Sequence, residues 1–161
     1  MKKGFTLIEL LVVIGIMAVI AAGVVALIDP VEKTRQANDA NVQNAIGQIA
    51  TALQSSAAQN PSGNYPQPGA FPDLLLPLVT NGELTALPAL PSGYAYGYAV
   101  DANPAVVAAA SIRLFSKKYV SKCTAPALPW WFFRTTNGKA CGTCLVAAPG
   151  IGDACGASPP W

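Results

Sequence analysis

The most regular feature of the chain is a block with no polar periodicity at all. From Leu10 to Ile28 run 19 uncharged residues, 17 apolar and two glycine, so a helix here has no polar face. At 1.5 Å per residue the block spans about 28 Å, close to the hydrocarbon thickness of a bilayer. Nine of the 19 are Val or Ile, poor helix formers in water. A lone segment in lipid has only its own backbone to bond to, and that makes it helical. The pattern then changes. Val42, Ile46, Ile49 and Leu53 recur at spacings of four, three and four, with Ala45 and Ala50 beside them. Asn41, Gln43, Asn44, Gln48 and Gln54 occupy the rest of the circumference. This predicts an amphipathic helix over 29–58 with one buried stripe.

Asp29-Pro30 lies at the junction. Proline has no N–H and its ring clashes with the preceding turn, so Pro30 either kinks a continuous helix or opens a fresh one capped by Asp29. Either way the two stretches together span about 54 residues, roughly 80 Å of helix. Asn60-Pro61 and the turn chemistry of Ser62–Pro66 stop it.

Residues 59–161 hold 13 of the 14 prolines. A short helix limited by Pro77 is expected in Phe71–Val79. Tyr94, Tyr96 and Tyr98 alternate with Ala95, Gly97 and Ala99, the period of a strand with one aromatic face and one small face. The small face is the one expected to let a helix approach closely. Val106–Ser116 and Trp130–Thr135 read as further strands. Trp130-Trp131-Phe132-Phe133 reads as core rather than as a ligand platform. The fold class is therefore α+β: a long N-terminal helix with a small antiparallel sheet packed on its second half. Four zones follow: 1–4, 5–28, 29–58 and a head at 59–161.

Charge orients the apolar block. Lys2 and Lys3 precede it while Asp29 and Glu32 follow, which places the N-terminus in the cytoplasm and the rest of the chain outside. A secretory signal peptide competes, but its apolar region is shorter and ends at a small-residue cleavage site, and Glu9 is out of place in one. Without residues 1–4 the chain carries eight basic and eight acidic side chains. No histidine is present, which removes the commonest metal ligand and general base. No Ser-His or Cys-His pair and no phosphate loop can be found, so neither catalysis nor a cofactor is expected.

Lys2-Lys3-Gly4-Phe5-Thr6-Leu7-Ile8-Glu9, running straight into Leu10–Leu27, resembles the processing site of type IV prepilins. The likeness continues through Asp29–Asp39 and is thinner beyond residue 66. It implies that a prepilin peptidase cuts between Gly4 and Phe5 and methylates the new Phe5 amine. It also implies that Glu9 pairs with the Phe5 amine of a neighbouring subunit during assembly; a plain interfacial carboxylate is the bland alternative. Partners implied are copies of the chain and related pilins, the peptidase, the inner membrane and an assembly platform with its own ATPase. A pseudopilin of a type II secretion or DNA-uptake machine shares the whole N-terminal signal. Major type II pseudopilins tend to carry a calcium site in their C-terminal loops, and here Asp153 is the only carboxylate in 102–161, which favours a pilus subunit. A membrane-tethered binding module that never polymerises is the reading from another class.

Cys123, Cys141, Cys144 and Cys155 lie on the outer side by this topology, where disulfides persist. Cys-Gly-Thr-Cys also matches half a zinc site or a redox pair, but neither has a supporting context. Two structural bridges are expected, with Cys123–Cys141 and Cys144–Cys155 the favoured pairing. A disulfide-bounded C-terminal loop resembles many pilins, in which one bridge is the more familiar number. Between Ala102 and Ala148 stand six basic residues and no acidic one. Arg113, Lys117, Lys118 and Lys122, interleaved with aromatics, are candidates for contact with DNA or another anionic surface by phosphate neutralisation and stacking. Solvated strand edges are the plainer account.

Overall fold

A computed structural model describes residues 4–69, 73–103 and 107–153. The chain divides into two compact units, Met1–Thr34 and Arg35–Trp161.

The first unit is dominated by α1, Leu7–Leu27. It is long and apolar enough to cross a membrane, and none of Leu7–Val25 is buried within the chain. The helix ends where Ile28 turns extended, at φ −98° and ψ 120°. A second helix, α2, starts at Pro30 and runs to Gln59. Asp29 caps it: its Oδ1 accepts the Glu32 N–H at 3.1 Å. Pro30 thus stands at the first helical position, where its missing N–H costs nothing. Of the two expectations for Asp29-Pro30, a fresh capped helix is the one realised.

The second unit packs the remainder of α2 on a four-stranded antiparallel meander in the order β1-β2-β3-β4. The strands are β1 Tyr96–Val100, β2 Ala108–Arg113, β3 Leu128–Arg134 and β4 Lys139–Leu145. Two short helices, α3 (Leu76–Thr80) and α4 (Lys117–Val120), fill the connections. Pro77 sits at the start of α3, so it opens that helix rather than limiting it. Residues 70–72 and 104–106, which include the expected helix start at Phe71 and strand start at Val106, lie outside the described residues.

The core forms where the helical stripe meets one face of the sheet. Val42, Ile46, Ile49 and Leu53 pack with Tyr98, Ala108, Ala110, Ile112 and Phe133. Tyr98 faces Ala110 and Ala110 faces Phe133 across the ladders, so these three share a face. The aromatic side of β1 therefore meets the helix, contrary to the expectation for its small side. The reason lies on the opposite face. A Cβ on Gly97 would stand 2.5 Å from Ser111 Oγ and 3.8 Å from Ala148 Cβ, so the small side admits the segment after β4. That segment is tied down by Arg134 Nη1, which donates to the Asp153 carbonyl at 3.0 Å.

The three tyrosines hold three different parts of the chain. Tyr94 donates to Asp39 Oδ1 at 2.6 Å, Tyr96 to the Pro88 carbonyl at 2.8 Å and Tyr98 to the Pro66 carbonyl at 2.7 Å. Asp39, on α2, is fully buried. Besides Tyr94 it accepts the Phe115 N–H at 3.0 Å and the Ser116 N–H at 2.8 Å. A buried carboxylate is tolerable because it is this fully hydrogen-bonded.

Asp39→Ala strips the acceptor from these donors and should destabilise the head by about 2–4 kcal/mol, measured by urea unfolding of the detergent-solubilised chain. The tyrosines predict a pH dependence. Burial holds the Tyr96 phenol up at about 12, against an ordinary value of 10. Tyr98 is raised by burial, then by Tyr65, and Tyr94 by burial, then by the Asp39 carboxylate. Folded values above unfolded ones give full stability below about pH 10 and a loss as pH rises beyond it. The unfolding midpoint should fall between about pH 10 and pH 12, and Tyr96→Phe should flatten that fall.

Candidate functional site

Gly4, Phe5 and Thr6 precede α1 in non-helical backbone and are exposed. Thr6 is extended, at φ −81° and ψ 150°, and acts as the N-cap. Its hydroxyl oxygen accepts the Glu9 N–H at 3.4 Å. Glu9 Oε2 in return accepts the Thr6 N–H at 2.9 Å and the Thr6 hydroxyl at 2.8 Å. This reciprocal box satisfies donors that a helix start leaves open. It also fixes where the helix begins, leaving the Gly4–Phe5 bond just outside it. The sequence signal was the Thr-x-x-Glu spacing of Thr6 and Glu9, which reading Glu9 for its charge alone overlooks.

The surroundings of these residues supply no internal reason for them. A Cβ on Gly4 would meet nothing within 4 Å among the described residues, so packing against them does not require glycine. Phe5 is 85% exposed and Leu7 82%. Along α1, Leu10, Ile14, Met17, Val19 and Ile20 are all exposed. Each such side chain would gain about 1.5–3 kcal/mol by leaving water. Glu9 is the only charge from Phe5 to Ile28.

The cysteines are rearranged from the expected pairing. Cys123 bonds Cys144, with Cα atoms 5.4 Å apart. Cys141 is also disulfide-bonded, and Cys155 lies outside the described residues. The expected Cys123–Cys141 bridge fails on strand parity. Cys141 and Cys144 both belong to β4 and are three residues apart, so they point to opposite faces. Cys144 lies opposite Pro129 and Cys141 opposite Phe132 in the ladder. Cys123, three residues past α4, reaches only the Cys144 side. Among the described residues no group of three or more His, Cys, Asp or Glu is placed to hold a metal ion.

The basic candidates separate into two kinds. Lys118 Nζ and Lys122 Nζ stand 5.1 and 6.0 Å from the centre of the Tyr119 ring, and Lys117 is exposed beside them on α4. Arg113 is elsewhere, half-buried on β2, with its guanidinium 4.9 Å over the Phe115 ring. Phe132 and Phe133 are buried, whereas Trp130 and Trp131, expected in the core with them, are half-buried.

Residues 1–25 match the family model described as the prokaryotic N-terminal methylation motif. No curated protein and no solved structure matches the chain.

The bridge in hand gives a direct check. Non-reducing peptide mapping should recover Cys123 joined to Cys144, and Cys144→Ser should lower the stability of the head by about 2–4 kcal/mol. A Cys123–Cys141 peptide would contradict the strand assignment of β4.

Proposed function

We propose that this chain, whose first 25 residues carry the prokaryotic N-terminal methylation motif, is a structural subunit of a type IV pilus-like filament. One observation supports the reading: the motif runs directly into an apolar helix of which Leu7–Val25 is unburied among the described residues. Such a helix needs lipid or other helices around it. A precursor held in the inner membrane, N-terminus inside, supplies the first; a polymer of like subunits supplies the second.

The residues then take the following parts. Prepilin peptidase cuts between Gly4 and Phe5. The bond is accessible because Thr6 and Glu9 start the helix after it, and glycine lets the backbone lie close to the protease. Methylation follows on the Phe5 amine. On assembly the subunit leaves lipid at the platform, driven by a separate ATPase, and its charged amine enters an apolar filament interior. Glu9 of a neighbour provides the counter-charge. A pilus subunit is favoured over a type II pseudopilin because Asp153, the lone carboxylate of 102–161, already accepts the Gly150 N–H at 2.8 Å in its own turn. The function is structural, with no catalytic role.

Mass spectrometry of sheared surface filaments should find a mature chain starting at Phe5 with one added methyl, and Gly4→Asp should leave precursor in the membrane. A mature start near Ala22 would restore a signal peptide in place of this reading. Glu9→Ala separates processing from assembly. Losing the box frays the first turn of α1 and so lengthens the non-helical stretch at the cut, leaving cleavage intact. Assembly should fall by orders of magnitude, since an unpaired charge in an apolar interior costs several kcal/mol. Processed subunit in membranes is compared with subunit in sheared material; a normal filament yield from Glu9→Ala withdraws the pairing role.

A further inference from the structure

The head separates its charges along the chain. Residues 36–112 hold four carboxylates and no basic side chain, while residues 113–152 hold six basic side chains and no carboxylate. The meander carries that division into space: the first stretch supplies β1 and most of β2, the second β3 and β4. One carboxylate of the first stretch stands in a cleft. Gln48, Thr51, Ala52 and Ser55 of α2 line it together with Glu83 and Leu84, around a volume of about 370 Å³. The Glu83 loop is pinned, since the Glu83 N–H donates to the Leu78 carbonyl at 2.9 Å and the Leu84 N–H to the same carbonyl at 3.0 Å. Among the described residues the partner of Glu83 is an amide, Gln59 Nε2, which donates to it at 3.2 Å. The rest of the lining is rich in acceptors. Thr51 donates its hydroxyl proton to the Gly47 carbonyl at 3.1 Å, which leaves its oxygen as an acceptor.

We infer that this cleft receives the Lys139 ammonium of a second copy of the chain. The class of ligand follows from the lining. A carboxylate beside hydroxyl and amide oxygens suits an ammonium, which has three donors and no acceptor. One carboxylate is too few for a calcium or magnesium site, and it repels an anion. The basic half of the chain supplies the donor. Arg113 lies over Phe115, Lys118 and Lys122 lie over Tyr119, and Arg134 donates to the Asp153 carbonyl. Lys117 is engaged as well. Lys139 is exposed at the start of β4, an edge strand of the sheet. The cleft and Lys139 share no residue, so the contact is heterologous. A copy that gives its Lys139 keeps its own cleft open, and the contact repeats from copy to copy instead of closing a two-fold dimer. The inference rests on the polymerisation proposed above and adds to it a contact between heads.

The test joins carboxylate to amine directly. Ordinary and isotope-labelled full chains are mixed in neutral detergent and treated with a carbodiimide, which forms an amide only between groups in contact. A peptide joining Glu83 of one chain to Lys139 of the other is expected. Its yield should fall severalfold as salt rises from about 50 to about 500 mM. Sedimentation equilibrium reads the charge reversals. Glu83→Lys and Lys139→Glu should each weaken self-association about tenfold or more, because like charges then meet. An equimolar mixture of the two variants, or both reversals in one chain, should restore it. Lys118→Glu, an equal change of net charge, should leave association within about twofold. Near-UV circular dichroism checks that each head stays folded. Glu83 joined to other lysines or to none, or reversals that fail to weaken association or to rescue each other, overturns the inference. Protection of Glu83 by a free diamine, with no peptide between chains, also overturns it and assigns the cleft to a soluble amine. Filaments of normal yield that lack the Glu83–Lys139 peptide remove this contact alone. The peptide in detergent from a chain that never forms filaments keeps the contact and removes the filament reading.

Discussion

One constraint governs the rest: Leu7–Val25 of α1 is apolar apart from Glu9, and none of it is buried among the described residues. The hydrophobic cost of leaving it in water would exceed the net stability of an ordinary small domain. Its environment must therefore come from outside, first as lipid and then, on the reading proposed, as neighbouring copies. The flanking chemistry makes sense in that light. On the reading proposed Lys2 and Lys3 would hold the precursor's inner end; Asp29 caps the new helix, and Glu9 is the single charge in the apolar stretch.

Glu9 has two uses that need not compete. In the isolated chain its carboxylate closes the capping box with Thr6, so its charge is already engaged by an N–H and a hydroxyl. In the filament the partner proposed is an amine four residues before it in sequence but on another subunit. The Thr6 bonds are already charge-assisted by the carboxylate, and the exchange would add the Coulomb attraction of a charged donor. The same residue marks the start of the helix in this chain and, on the reading proposed, would meet the neighbour's amine after cleavage.

How much of this was legible from sequence depended on how local the cause was. The span, the stripe from Val42 to Leu53 and the stop at Asn60-Pro61 follow from short-range pattern and emerged within a residue or two. The strand β3, rich in aromatic residues, was also readable, as was β2, a run of small residues ending in Ile112 and Arg113. The strand β4 was not, because Lys-Ala-Cys-Gly-Thr-Cys-Leu has no clean alternation and its cysteines suggested a stapled loop. Missing that strand hid the parity that separates Cys141 from Cys144, and the disulfide pairing went wrong with it. Asp39 was invisible for a related reason. Among polar residues on an amphipathic helix a carboxylate looks solvated, and only the return of residues 115–116, more than 70 positions later, makes it a buried anchor.

The central claim is that α1 exchanges lipid for copies of itself. A nitroxide placed at Val19→Cys, exposed on α1 and far from Glu9, reports this directly by electron paramagnetic resonance. In membranes holding dilute precursor the label should be accessible to lipid-dissolved oxygen and magnetically isolated. In sheared filaments it should lose that accessibility and broaden through dipolar coupling to labels on neighbouring subunits. Identical, unbroadened and oxygen-accessible spectra in both preparations would contradict the account.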